Sequence, residues 1–251
     1  MISPSEFLKK AFPWGSRAVS LYNLRPYDWQ LAAANDLTSQ LEKGGNYLRV
    51  QKAIGTGHGV GATAFNVMMG LWAIVQMKNC SAVIVAPTSN VASKVVGPEL
   101  HRWAKIVFSV DISEESSANI ICAHKRNASS LRLVSQLSDP KEWEMGKTGD
   151  EPVFIAFDSA ATISKREWKD VLHKTEDRQG PVIWCATGAP HVKESEFSKK
   201  LIDPAWCPAF AASSPENGCR EDYAENMAKH WGAESDIFRA RVLGRPPTIK
   251  A

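Results

Sequence analysis

The segment Thr56–Thr63, with the sequence TGHGVGAT, holds the residues whose types and spacing most clearly suggest chemistry. It lies between an apolar run that predicts a β-strand and a longer apolar run that predicts a helix. Glycines let successive backbone N–H groups turn towards phosphate oxygens at the N-terminus of a helix. We therefore predict a phosphate-binding loop, and the structural alternative is a flexible turn between strand and helix. The predicted binding residues are Gly57, His58, Gly59, Val60, Gly61, Ala62 and Thr63.

This loop departs from the common phosphate-loop pattern G-x-x-x-x-G-K-[ST] at two positions. Gly61 and Thr63 match the last glycine and the Mg²⁺-binding hydroxyl. Thr56 replaces the first glycine, and Ala62 replaces the lysine. The lysine neutralises charge on the β- and γ-phosphates of a nucleotide, and losing such a contact costs about 10²-fold or more in rate. Other lysines that could compensate are Lys52, on the preceding strand, and Lys94, on a later helix.

Two later segments end apolar strands with polar residues. VFIAFD ends in Asp158, whose carboxylate suits Mg²⁺, and Ser159 follows where nucleotide hydrolases usually place a glutamate. ATGAP carries Thr187, which is suited to sense a terminal phosphate, whereas Ala189 stands where an amide or hydroxyl is expected. We place Asp158, Ser159 and Thr187 at the catalytic positions, with Thr63 and Asp158 as metal ligands. The alternatives are an ordinary core strand with an Asp at its end and a plain strand–turn.

Strands and helices alternate along the chain. Strands are predicted at residues 47–55, 81–87, 153–160 and 181–189, with a last strand near 206–213. Most of them are apolar throughout, which is typical of strands buried on both faces. Helical patterns cover residues 27–43, 64–77, 91–105 with a bend at Gly97-Pro98, 164–174 with a Ser164–Glu167 capping box, 195–201, and two segments between 219 and 244. Residues 1–24 are expected to be an irregular arm, and 136–150 a loop. Three β-like runs within 106–135 predict a meander or hairpin at one edge of the sheet.

This alternation predicts an α/β fold with a mostly parallel sheet and helices on both faces. Ligands of such sheets bind beyond the carboxyl ends of the strands. The glycine loop, Asp158 and the segment Thr187–Ala189 should therefore meet on one rim.

Composition adds few constraints. A formal net charge of +3 over 251 residues is mildly basic and permits, without indicating, a nucleic-acid partner. The five cysteines form no C-x-x-C pair, so the spacing indicates neither a zinc site nor a disulfide framework. The N-terminus lacks a signal-peptide pattern, and the longest apolar stretch, Ala64–Met77, is too short to span a bilayer.

Taken in order, these segments resemble the ATPase domain of phage terminase large subunits, which are P-loop NTPases of the ASCE type. TGHGVGAT is similar to the family's G-H-G-V-G-K-[ST] loop, VFIAFDSA to its Walker B strand and CATGAP to its coupling motif. PYDWQ resembles the adenine-binding Q motif, in which Gln30 would pair with the base. The segments VIVAPTSNVASKVVGPELHRW, FAASSPENG and YAENMAKHWGAESDIFRARVLGRPP resemble the following strand–helix unit and the end of the domain.

The resemblance implies ATP and Mg²⁺ as ligands. It also implies an ATPase domain at residues 25–247, preceded by an arm at 1–24 and followed by a tail at 248–251. The nuclease domain of the family is expected to be absent. The resemblance further implies that the protein acts in the host-cell cytoplasm and not at a membrane. The implied partners are double-stranded DNA, the portal, the small terminase subunit or an active paralogue, and a homo-oligomeric ring.

Three hypotheses about function stay open from the sequence. The first is a packaging ATPase whose hydrolysis is impaired or lost, because Ala62, Ser159 and Ala189 replace the residues expected there. The second is a non-catalytic terminase-like protein that acts through protein or DNA partners. The third is a helicase-like translocase, which a single such domain disfavours. Replacements in three motifs fit either a degenerate relative or a deliberately altered site.

Overall fold

The computed structural model of the chain describes residues 2–16, 25–44, 48–107, 110–116, 119–135 and 149–248. Within them one eight-stranded sheet has the order β3-β4-β5-β2-β6-β7-β1-β8. The six strands from β5 to β8 in this order are parallel to one another. At the other edge, β3 and β4 continue from β5 as an antiparallel meander. The strands are β1 Arg49–Thr56, β2 Ser81–Ala86, β3 Asp111–Ser116, β4 Asn119–His124, β5 Ser129–Ser135, β6 Val153–Phe157, β7 Val182–Gly188 and β8 Ala209–Ala211.

Helices cover both faces of this sheet, because its central strands are apolar on both sides. The described helices are α1 Pro4–Lys10, α2 Asp28–Lys43, α3 Ala62–Gln76, α4 Ser89–Val91, α5 Gly97–Ala104, α6 Lys165–Glu176, α7 Glu196–Lys200, α8 Tyr223–Trp231 and α9 Asp236–Arg241. One core packs α1, α2, α3 and α5 against the sheet around the fully buried Trp72. The other packs α6 and α7 around Trp168, whose ring stacks on Phe157 at 3.9 Å between centroids.

The predicted fold class is confirmed, and so is the edge meander. The meander's first strand begins at Asp111, later than its apolar run suggested. The predicted capping box of α6 is present, with Ser164 Oγ accepting from the Glu167 N–H at 3.2 Å. The last helix ends at Arg241, ahead of the predicted bound at residue 244.

Two segments differ from expectation. The prediction of an irregular N-terminal arm is wrong for Pro4–Lys10, which form a helix because Ser3 caps it and because Phe7 and Leu8 enter the core. The predicted helix 91–105 is instead divided by a π-helical turn, Ala92–Val96, in which the Gly97 N–H reaches the Ala92 carbonyl. Gly97 and Pro98 begin α5 directly after this turn, and the bend expected there stays a prediction. The rest of the predicted arm at 17–24, most of the predicted loop at 136–150 and the tail from 249 lie outside the described residues.

No helix in the described part of the chain is long and apolar enough to cross a membrane.

Candidate functional site

The carboxyl ends of β1, β6 and β7 meet at a pocket of about 500 Å³. The predicted convergence on one rim is therefore present in the structure. Every predicted site residue except Gln30 lines this pocket. The full lining is Thr56, Gly57, His58, Gly59, Val60, Gly61, Ala62, Thr63, Ala64, Lys94, Val95, Pro98, Glu99, Asp158, Ser159, Thr187, Gly188, Ala189 and His191.

The glycine loop has the backbone conformation that a phosphate loop requires. Gly59 and Gly61 adopt φ of +75° and +79°, the left-handed region that glycine enters without steric cost. Helix α3 begins directly after Gly61, so its first-turn amides have no partner within the helix. Within the described chain, the amides of Gly59, Val60 and Gly61 donate to no backbone carbonyl. This stretch presents unused N–H groups at a helix N-terminus, where an anion is favoured.

Helix α2 supports the loop from one side. The Trp29 indole N–H donates to the Val60 carbonyl at 3.1 Å, and the Gln30 side-chain amide donates to the Gly61 carbonyl at 3.2 Å. The Gln30 side-chain oxygen accepts from the Tyr27 N–H at 3.1 Å, and the residue is 3% exposed. Both halves of its amide are therefore engaged by the protein. Gln30 acts here on the loop backbone, its amide keeps one further N–H and one further lone pair, and its pairing with a base stays a prediction.

The C-terminal part of the chain holds the other side of the loop. The Gly57 N–H donates to the Ala211 carbonyl at 2.7 Å, and the His58 N–H donates to the Arg241 carbonyl at 2.8 Å. The Ser213 hydroxyl donates to the His58 carbonyl at 2.8 Å. We call this set of contacts the C-terminal clamp. The backbone amides of Gly57 and His58, two of the predicted binding residues, are therefore already used within the protein.

Asp158 lies just beyond the end of β6 at the centre of a polar network. It is 1% exposed. One carboxylate oxygen accepts from the Thr63 and Ser159 hydroxyls, both at 3.3 Å, and the other accepts from the Asn66 side-chain amide at 3.1 Å. The same Asn66 nitrogen donates to the Thr187 hydroxyl oxygen at 2.8 Å. The three predicted catalytic residues and Thr63 are thus joined in one hydrogen-bonded cluster.

Burial raises the pKa of Asp158, and the nearby charge of Glu99 acts in the same direction. Hydrogen bonds from Thr63, Asn66 and Ser159 act the other way, because they stabilise the carboxylate. The carboxylate is therefore costly to bury, and a cation bound beside it would relieve that cost.

Asn66 is a member of the cluster that the sequence motifs do not include. It is fully buried on α3, and its side-chain oxygen has no hydrogen-bond partner among the described residues. A signal for it exists in the sequence. Asn66 is the one amide or hydroxyl side chain between Ala64 and Val75, and it lies three positions after Thr63 and therefore on the same face.

Ser159 stands directly after Asp158, where the sequence resemblance led us to expect a glutamate. Its φ of +52° lies in the left-handed region, which is unfavourable for any residue with a Cβ. The turn is tight because Gly188, at the end of β7, packs against its backbone, so that a Cβ on Gly188 would lie 3.1 Å from the Ser159 Cα. Ser159 thus carries a short hydroxyl directed at Asp158, and Ala189 contributes no polar side chain to the pocket.

The two candidate replacements for the missing lysine behave differently. Lys52 is fully buried and donates to the Asp36 carboxylate and, at 2.8 Å, to the Cys207 carbonyl. It does not line the pocket, so compensation by Lys52 is excluded. Lys94 does line the pocket and is exposed. His58 adds no fixed charge at neutral pH, because partial burial, Arg241 and His191 lower its pKa.

The donor atoms near Asp158 suit a hard cation. A carboxylate, the Thr63 hydroxyl and the unpartnered Asn66 oxygen are the oxygen ligands that Mg²⁺ prefers. Elsewhere among the described residues, no group of three or more His, Cys, Asp or Glu side chains is placed to hold a metal ion.

The sheet order, the loop and the acidic strand end define an α/β, P-loop NTPase-like domain. Neither a scan against models of protein families nor a search of curated proteins finds a match to the chain. Solved structures do match. The ATPase domain of the Thermus phage P74-26 large terminase gives a TM-score of 0.59 at 14% identity, over 87% of this chain and 92% of that chain.

Two further large terminase structures match as well. The large terminase of bacteriophage HK97 gives a TM-score of 0.67 at 12% identity, over 98% of this chain and 56% of that chain. The large terminase of the thermophilic bacteriophage D6E in complex with ADP gives 0.60 at 11% identity, over 87% of this chain and 52% of that chain. The chain therefore has the fold of a phage large terminase ATPase domain and spans just over half the length of the HK97 and D6E proteins. The resemblance predicted from the sequence is confirmed for the fold.

Proposed function

We propose that this protein is a terminase-like ATPase domain that binds Mg-ATP and takes part in packaging double-stranded DNA into viral capsids, with impaired hydrolysis. The observation that carries the proposal is the joint geometry of the pocket. Free amides at the start of α3, the Thr63 hydroxyl and the buried Asp158 face one cavity, in a fold shared with large terminases. The domain bounds 25–247 belong to the same proposal.

The pocket favours a nucleotide over other anions for two reasons. The loop amides at Gly59–Gly61 favour phosphate oxygens, whereas Asp158 would repel a simple anion unless a cation came with it. Mg²⁺, when bound, would neutralise the β- and γ-phosphate oxygens, and Thr63 and Asp158 are the residues that would hold it. A magnesium–nucleotide complex supplies both charges at once. The D6E large terminase is known in complexes with ADP and with ATP-γ-S, which supports this ligand class for the fold.

Impaired hydrolysis follows from the residues that contact the reacting phosphate. Ala62 offers no ammonium, and Ser159 is too short and too weakly basic to accept a proton from water. Each loss costs about 10²-fold or more in rate on the scale of other electrostatic and acid–base deletions. Binding depends more on the amides and on Thr63 and Asp158, so it should survive better than turnover.

A non-catalytic role through protein or DNA partners is the second candidate, and the same absent groups favour it. A ring of identical subunits, a portal, a small terminase subunit or an active paralogue would then be the partners. Nucleotide binding separates the two candidates, since a purely structural relative has no need of an intact Thr63–Asp158 pair.

Calorimetric titration with Mg-ATP tests the proposal. We expect binding in the micromolar range that requires Mg²⁺ and is lost in Thr63→Val, while Thr38→Val, a threonine of α2 whose hydroxyl donates to the Ala34 carbonyl, binds normally. Absence of binding up to millimolar Mg-ATP by the folded protein would refute the proposal. Adding Ala62→Lys together with Ser159→Glu should raise turnover, and no gain in a folded variant would place the defect elsewhere.

A further inference from the structure

Two charged residues outside the glycine loop and the ends of β6 and β7 line the pocket. They are Lys94, on the π-helical turn after β2, and Glu99, on α5. Val95 and Pro98 lie on the same wall. The segment Lys94–Glu99 is therefore a further wall of the site.

The π-helical turn explains why residues five apart share this wall. Its hydrogen bond runs from the Gly97 N–H to the Ala92 carbonyl, five residues back. A π turn is wider than an α turn, so each residue rotates less about the axis, and Lys94 and Glu99 come closer to one side. Single π turns inside helices occur often at functional sites.

Glu99 is held in a defined orientation. One carboxylate oxygen accepts from the Trp103 indole N–H at 2.6 Å, and the other lies 3.7 Å from an Arg102 guanidinium nitrogen. Its side chain keeps 29% of its exposure, so a water molecule can reach it.

Lys94 differs from Glu99 in its freedom. Its ammonium sits on a flexible four-carbon stem, and the residue is exposed at the pocket wall. Among the lining residues, Lys94 is the one lysine or arginine, so it is the source of fixed positive charge for a bound phosphate.

We propose that Lys94 and Glu99 replace, from a different wall, the two charged groups that the glycine loop and the end of β6 lack. Lys94 binds the terminal phosphates in place of a lysine at Ala62. Glu99 takes the place of a glutamate at Ser159 and orients the attacking water. This inference rests on the proposed nucleotide binding and assigns the residual turnover of the site.

The hydrolysis step is balanced with these residues. A water oxygen forms a bond to the γ-phosphorus, and the bond between that phosphorus and the β,γ-bridging oxygen breaks. ADP leaves with the bridging oxygen and its electron pair. Glu99 accepts one proton from the water and returns it to the phosphate product, so the carboxylate is regenerated. Lys94 neutralises charge on the transferred group throughout.

The test compares the intact chain with Lys94→Met and Glu99→Gln, using Mg-ATP calorimetry and a phosphate-release assay. Lys94→Met should weaken binding about 10- to 100-fold, the loss expected for one hydrogen bond to a charged group. Glu99→Gln keeps an oxygen for Trp103 and should lower turnover about 10²-fold or more. Its binding should stay equal or become tighter, because a negative charge beside the phosphates is removed. Lys169→Met on α6 and Glu225→Gln on α8 are the exposed controls and should match the parent.

A rescue variant guards against general damage. Adding Ala62→Lys to Lys94→Met should restore binding, because it returns an ammonium to the same phosphates from the loop. If the parent chain binds Mg-ATP and Lys94→Met binds it equally well, the role of Lys94 is refuted. If the parent binds without turnover, or Glu99→Gln turns over like the parent, the role of Glu99 is refuted. If the parent does not bind, the proposed function itself fails, and the inference fails with it.

Discussion

Asn66→Ala should destabilise the fold more than any surface Asn→Ala change, because Asn66 links three parts of the site. Its side-chain nitrogen serves Asp158 and Thr187, at 3.1 and 2.8 Å, in a fully buried setting. A lost hydrogen bond to a charged group costs about 1.5–3 kcal/mol, and a neutral one about 0.5–1.5 kcal/mol. Alanine returns up to about 0.7 kcal/mol through its higher helix propensity. The net loss in unfolding free energy should be about 1–4 kcal/mol.

Urea denaturation at pH 7 measures this loss. The matched control is Asn226→Ala on α8, where an exposed Asn side chain donates to the Asp222 carboxylate at 3.0 Å. That change should stay within about 0.5 kcal/mol of the parent, because solvent replaces the lost bond. Adding Asp158→Asn should reduce the cost of Asn66→Ala, since the charged acceptor is gone. Equal and small effects of Asn66→Ala and Asn226→Ala would refute the view that Asn66 secures the cluster.

Three further predictions concern the same pocket. Asp158→Asn should stabilise the ligand-free protein by about 1–2 kcal/mol at pH 7, as often happens at functional sites, and abolish Mg-dependent ATP binding. The change removes the cost of burying a charged carboxylate, and this cost grows as pH rises above the ordinary pKa of 3.8. Thermal melts at pH 7 that show lower stability for the variant would contradict this prediction. Gly57→Ala would place a Cβ 2.3 Å from the Ser213 hydroxyl and should cost about 1–3 kcal/mol in urea titrations, whereas Gly149→Ala, with no atom within 4 Å of its Cβ, should be near neutral. Because the pKa of His58 is lowered in the folded protein, protonation of His58 opposes folding. The melting temperature should therefore fall as pH drops below about 6.5, and it should fall less steeply in His58→Gln. An identical dependence of melting temperature on pH in the two proteins would count against this prediction.

The sheet and the loop could be predicted because their signals are local. The run Val153–Phe157 is apolar throughout, as expected of a strand that is covered on both faces, and it forms β6. The glycines of TGHGVGAT predict a loop with positive φ angles, and two of these glycines have a positive φ in the structure. Convergence of loop, Asp158 and Thr187 then followed from the rule that parallel strands end at one rim.

The parts that could not be predicted depend on contacts between distant residues. Gln30 has the right identity for base recognition, yet its amide is used by the Gly61 carbonyl, and only the packing of α2 reveals this. The division of one helical pattern by a π turn at Ala92–Val96 has no clear sequence signature. That turn brings Glu99 to the pocket wall. The sequence motif points only to the residue after Asp158, which is Ser159, and so it does not indicate Glu99.

The C-terminal clamp has a consequence for how the site comes into being during synthesis. Strand β1 pairs with β7 and β8 alone, and the loop after it is held by Ala211, Ser213 and Arg241. A ribosome produces the loop well before Ala211, Ser213 and Arg241, which follow it by about 150 to 180 residues. These contacts are distant in sequence, and such contacts form slowly. A chain interrupted before Ala211 would carry all the glycines of the loop and its contacts from α2, but none of the contacts of the C-terminal clamp. The nascent chain therefore completes the support of this loop only after Arg241 has been synthesised.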